Sequence, residues 1–120
     1  MAIQGRLAVV VLAAAPFVLV ACATPQEARE KGAVATYSSA QSAKDVSVCV
    51  ATAWESVYGL TNPVNVRPTQ DGFTLQISNI GNTMVVLDIS DAPGGGSTSR
   101  YYKGNVFLEG KWDQAVRSCQ

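Results

Sequence analysis

Any chemistry this chain performs must be built without histidine and from three cysteines and a handful of acids. The missing imidazole removes the commonest general base, and with it every Ser-His or Cys-His arrangement. A pair of carboxylates could still act as acid and base, as in glycoside hydrolysis. Asp88, Asp91, Glu109 and Asp113 are the candidates, but they fall in no motif and read as solvated surface acids. The run Gly94-Gly95-Gly96 lacks the Gly-Lys-Ser/Thr ending of a phosphate loop and opens no helix, so it reads as a hairpin loop. Tyr37, Tyr101 and Tyr102 could stack on glycan rings, although tyrosine is ordinary strand composition. Two cysteines without histidine fall short of a four-ligand metal set, so neither a metal nor another cofactor is expected. The prediction is a protein that is not an enzyme.

The cysteines are more informative when the start of the chain is read with them. A short start carrying Arg6 leads into an apolar run from Leu7 to Val20, which ends in small residues. That order of features describes an export signal rather than folded protein. The run is too short, and too interrupted by Pro16, for a membrane-spanning helix of about 20 apolar residues. Leu19-Val20-Ala21-Cys22, at the end of the run, resembles the lipobox of bacterial lipoproteins. The resemblance implies that residues 1–21 are removed, that the Cys22 thiol is acylated, and that the protein is held in a membrane by acyl chains. Ala23 follows the anchor, where an aspartate in such proteins often signals inner-membrane retention. The resemblance therefore implies the outer membrane, with the domain in the periplasm.

With Cys22 assigned to the anchor, Cys49 and Cys119 remain as a pair in an oxidising space, and a disulfide between them is expected. It would close a loop of about 70 residues, which chain-entropy reasoning values at roughly 4 kcal/mol. Nine basic and nine acidic residues leave the chain neutral, with no electrostatic footprint for nucleic acid and no polybasic patch for lipid.

The elements that would position these residues follow from periodicity. Residues 22–43, rich in Ala, Ser, Thr and Gln, show no sustained apolar period and read as anchor and flexible tether, with Gln26 to Lys31 turning helical at most locally. The domain is expected over 44–120. Ser42 offers an N-cap with Asp45 three residues on, and Val46, Cys49, Val50, Ala53, Trp54 and Val57 share one helical face. Gly59, Leu60 and Asn62-Pro63 supply the stop. Strand alternation follows at Val64 to Arg67, at Phe73, Leu75 and Ile77, and at Val85, Leu87 and Ile89. Ser97 to Lys103 has weaker alternation and reads as an edge strand. A last helix, capped by Asn105 or starting at Glu109, sets Leu108, Trp112, Ala115, Val116 and Cys119 on one face.

The expected fold is α+β, a two-layer sandwich in which a three- or four-stranded antiparallel meander is flanked by N- and C-terminal helices. The disulfide would clamp those helices to one side of the sheet, with Trp54 and Trp112 packed around it. The other side would carry Thr74, Gln76, Ser78, Met84, Val86 and Asp88 with no helix to cover it. Met84 and Val86, extended by Tyr101 and Tyr102, form the expected partner surface. These features suit a non-enzymatic envelope lipoprotein that binds a protein partner or supports envelope organisation. The alternatives are a periplasmic inhibitor of a lytic enzyme, which the chain resembles in size, anchor and disulfide but not in motif, and a carboxylate-dependent hydrolase.

Overall fold

The computed structural model describes residues 24–57, 64–79, 82–104 and 110–120. Its elements are α1 (Pro25–Glu30), β1 (Ala35–Ser39), α2 (Ala43–Glu55), β2 (Val64–Pro68), β3 (Gly72–Asn79), β4 (Asn82–Asp91), β5 (Ser97–Lys103) and α3 (Gly110–Ser118). The strands form one antiparallel sheet in the order β1-β5-β4-β3-β2. It is an α+β fold with helices before and after the sheet, as the periodicity predicts, but the sheet has five strands rather than three or four.

The helical face read from the sequence forms α2. Ser42 caps it, its side-chain oxygen accepting from the Asp45 amide at 3.2 Å. Val46, Val50, Trp54 and Val57 are buried against Leu75, Ile77, Val85, Leu87 and Ile89 from β3 and β4. α3 adds Trp112, Ala115 and Val116 to the same core. Trp54 and Trp112 meet edge to face with centroids 6.1 Å apart, and the Trp54 indole donates to the Trp112 carbonyl at 3.0 Å. That hydrogen bond answers the polar end of a fully buried ring. The stop signal at Gly59 to Pro63 and the Asn105 to Glu109 start of the last helix lie outside the described residues.

Cys49 and Cys119 are joined, with Cα atoms 5.8 Å apart. Cys119 is buried but Cys49 is exposed, so the bridge lies at the rim of the helix layer rather than wholly inside it.

The largest departure concerns the expected tether, 22–43. Thr24 and Glu27 form a reciprocal capping box, and Pro25 takes the first turn, where its missing amide costs nothing. The short helix they start packs on β4 and β5 on the sheet side opposite α2 and α3. Ala28 is buried there, 1% exposed. After a turn through Gly32, at φ +86°, the chain returns as β1 beside β5. The expected edge strand β5 is therefore interior. Ala35, Tyr37 and Ser39 alternate half-buried positions with exposed Thr36 and Ser38, and β1 covers one margin of the core with Ala35 and Tyr37.

The Gly94-Gly95-Gly96 run is a hairpin loop, with all three residues at positive φ between Asp91 and Ser97. At Gly96 a side chain is excluded twice over, because a Cβ would lie 2.3 Å from the Ser39 carbonyl oxygen.

Candidate binding site on the outer sheet face

Alternation along antiparallel strands assigns every second residue to the face that carries α1. One cross-strand row on that outer face runs Arg67, Thr74, Asp88, Arg100, Thr36 from β2 to β1. Directly opposed side chains in such a row stand close enough to interact. Asp88 is at the centre, with a hydroxyl on one side and a guanidinium on the other.

Asp88 is not a solvated surface acid. Arg29, reaching down from α1, donates from Nε to Oδ2 and from Nη2 to Oδ1, both at 2.9 Å. The Thr74 hydroxyl donates to Oδ1 at 2.7 Å. A forked guanidinium on a carboxylate fixes orientation as well as charge. Burial alone would raise the Asp88 pKa, but the hydrogen bonds from Arg29 and Thr74, with the charges of Arg29 and Arg100, outweigh it and hold the group below its ordinary value. Those hydrogen bonds raise the Arg29 pKa in turn, against burial. A carboxylate held ionised by three donors is a poor proton acceptor, so this site is not built for base catalysis.

The other acids are engaged as well. Asp91 Oδ1 accepts from the Ala43 amide at 2.9 Å, tying the start of α2 to the end of β4. Asp113 accepts from the Tyr37 hydroxyl at 2.6 Å and lies 3.7 Å from Arg117 one turn along α3. Burial, then the hydrogen bond to Asp113 and its charge, push the Tyr37 pKa up to about 12 against the opposing charge of Arg117. These acids dock elements on one another. Glu109 lies outside the described residues.

Beside α1, a concavity of about 510 Å³ opens on the outer face. Its floor is Thr74, Asp88 and Arg100, and its walls include Arg29, Tyr102, Ser90, Thr98, Thr69 and the Asp91 to Pro93 end of the hairpin. Asp88 has its acceptor capacity largely used, whereas Arg100 is exposed and forms no salt bridge with a described residue. The remaining polar side chains are the Arg100 guanidinium, the hydroxyls of Thr69, Ser90, Thr98 and Tyr102, and, at the hairpin end, the Asp91 carboxylate, whose Oδ1 is taken by the Ala43 amide. The cavity is thus suited to a ligand that brings acceptors, above all a carboxylate.

The expected partner surface does not survive as an exposed patch. Val86 is fully buried on the α1 side, and Tyr101 is 1% exposed in the helix-side core. The physical reason is that α1, read as tether, covers Val86, and that Tyr101, opposite Leu87, faces the helices in a strand that β1 makes interior. Met84 stands where the register shifts, between Val85 opposite Ile77 and Thr83 opposite Ser78, and packs half-buried against the core. Tyr102 alone among the four faces the concavity. Of the three tyrosines that could stack on a glycan, Tyr37 is bonded to α3 and Tyr101 is in the core.

Cys22 lies outside the described residues. Among the described residues no cluster of three metal-binding side chains occurs, and no helix is long and apolar enough to cross a membrane. Arg29 and Arg100 escaped the sequence reading because the first sat in an apparent tether and the second in an apparent edge strand. A capping box at Thr24-Pro25-Gln26-Glu27 was the available signal for the first. No protein-family model matches the chain, and no curated protein or solved structure matches it.

Proposed function

We propose that this chain is a lipid-anchored protein of the bacterial cell envelope whose domain is a non-enzymatic binding module, receiving an acidic side chain of a protein partner in the outer-face concavity. The observation that carries the binding reading is the contrast between two neighbours in one cross-strand row. Asp88 already accepts three hydrogen bonds from Arg29 and Thr74, while Arg100 beside it acts on Asp88 through its charge and presents its guanidinium to a polar hollow. A guanidinium with free N–H groups at such a position binds a carboxylate in a fork. The anchor rests on Leu19-Val20-Ala21-Cys22 at the end of an apolar run. A disulfide-closed small domain agrees with an oxidising compartment.

Two measurements test the two halves. Intact mass of membrane-extracted protein should give a chain beginning at Cys22 with acyl groups attached, and Cys22→Ser should accumulate as precursor. An unmodified soluble chain would remove the anchor from the reading. For the partner, a photo-crosslinking residue at Thr98 should capture an envelope protein, and Arg100→Glu should abolish the capture while urea unfolding stays cooperative with an unchanged denaturant slope, the midpoint falling only by the cost of a like charge opposite Asp88. Capture that is equally efficient with Arg100→Glu rejects the concavity as the docking site.

A further inference from the structure

We infer that the domain has no tether and sits directly on the membrane leaflet that holds its lipid, with α1 and the turn from Lys31 to Val34 in contact with the headgroups. This rests on the proposed acylation of Cys22. Ala23 is the one residue between the anchor and the capping box at Thr24. Two residue steps reach at most about 7 Å even when fully extended. The headgroup layer on each side of the hydrocarbon core is roughly 5–7 Å thick. Thr24 therefore stays within, or just above, that layer. A flexible tether over 22–43 would instead give a root-mean-square reach of about 25 Å, enough to lift the domain clear.

The helix that begins at Thr24 cannot act as a free leash. Arg29 is forked onto Asp88 and Ala28 is buried against the sheet, so the position of the lipid is transmitted to the body of the domain. α1 is six residues, about 9 Å long, which keeps both of its ends near the bilayer surface. Immediately beyond it, Lys31, Gly32, Ala33 and Val34 are all exposed. Val34 is 54% exposed, one of the few large apolar side chains of the described residues to be so. A cationic side chain followed by an exposed aliphatic one suits the boundary between headgroups and acyl chains. The occupant of this surface is lipid, and a partner in the neighbouring concavity would have to approach along the membrane.

The test uses full-length lipidated protein in vesicles of phosphatidylethanolamine and phosphatidylglycerol, with bromine on the acyl chains as the quencher. Val34→Trp adds a reporter at the turn, and its emission is read as the difference from the unsubstituted protein. A second form carries the same substitution with a twenty-residue Gly/Ser spacer inserted between Ala23 and Thr24. The expected result is that brominated lipid quenches the added emission at least twofold without the spacer and leaves it unchanged with it. If mass and flotation show acylation at Cys22 but quenching is absent in both forms, apposition is wrong and the anchor stands. If Cys22 is unmodified, the anchor and the apposition both fall. Equal quenching in both forms also overturns the inference, because the short linkage would then not be its cause.

Discussion

If α1 belongs to the cooperative fold, the ion pair that docks it must register in global unfolding. The perturbation is a double-mutant cycle of Arg29→Met, which keeps the length of the stem, and Asp88→Asn, which keeps the shape and leaves an oxygen for the Thr74 hydroxyl. Both side chains are about one-third exposed, 31% for Arg29 and 27% for Asp88, and both N–H···O distances are 2.9 Å. Fully exposed pairs contribute about 0–1 kcal/mol, and breaking a fully buried one costs about 3–5 kcal/mol. A forked pair with most of its surface covered should therefore show a coupling energy of about 1–2 kcal/mol. Urea unfolding followed by Trp54 and Trp112 emission reads it, because both rings are in the core on the far side of the sheet from α1. The acid limb gives a second reading. The native Asp88 pKa lies below its ordinary value of 3.8, so its contribution is complete above that pH and is lost as the pH falls through the native value. Asp88→Asn should remove that part of the acid destabilisation. A coupling within about 0.3 kcal/mol of zero, with unchanged denaturant slopes, would mean that α1 detaches without disturbing the core, and the chain ahead of β1 would revert to a tether.

Three further outcomes are expected. Peptide mapping without reductant should recover Cys49 joined to Cys119, and Cys119→Ser should lower stability by about 4 kcal/mol for a loop of this length; two free thiols in exported protein reject it. Tyr37→Phe should cost about 0.5–1.5 kcal/mol by removing the hydrogen bond to Asp113. Because the native tyrosine holds its proton up to about 12 rather than 10.0, its contribution is present below the lower value and lost as the pH rises through the higher. Urea midpoints at about pH 9 and about pH 11 should therefore differ less in Tyr37→Phe than in the unsubstituted protein. Gly96→Ala, at φ +77° and with Ser39 in the way, should destabilise by about 2–3 kcal/mol, against about 1 kcal/mol for Gly94→Ala, where a Cβ meets nothing within 4 Å. Equal losses would mean that the β1 margin does not constrain the hairpin.

Burial of large side chains at a fixed period made α2, β3 and β4 legible, since each carries two or more of the residues that fill the core. The Cys49–Cys119 pairing was legible for a different reason: with Cys22 read as an anchor, the two remaining cysteines have one possible partner each. α1 and β1 were not, because neither needs a strong apolar period. α1 buries only Ala28, and its attachment comes from one long-range ion pair whose acid lies 59 residues away. β1 is held by its ladder to β5 and by Tyr37, and its remaining side chains are Ala, Thr and Ser. Composition that lacks large apolar residues normally signals a segment unable to repay its ordering entropy. Here backbone pairing and two polar clasps take the place of apolar burial.

That substitution changes what the N-terminal arm does. Without β1, β5 would present an open edge, exposing a ladder in which Ser97, Ser99 and Tyr101 are now buried. Without α1, Val86 would stand exposed in the middle of the outer face, and Asp88 would lose two of its three donors. The arm thus covers the β5 edge and the apolar centre of the outer face, and leaves β1 and β2 as the edges of the sheet. It is also the segment joined most closely to Cys22. If Cys22 carries the lipid, a pull on the anchor passes first to the six-residue helix and the Arg29–Asp88 fork, then to the β1–β5 ladder, before it reaches the disulfide-closed core. Close apposition to the membrane and protection of the sheet then depend on the same few contacts, so weakening the fork should increase exposure of Val86 and β5 most in the lipidated protein.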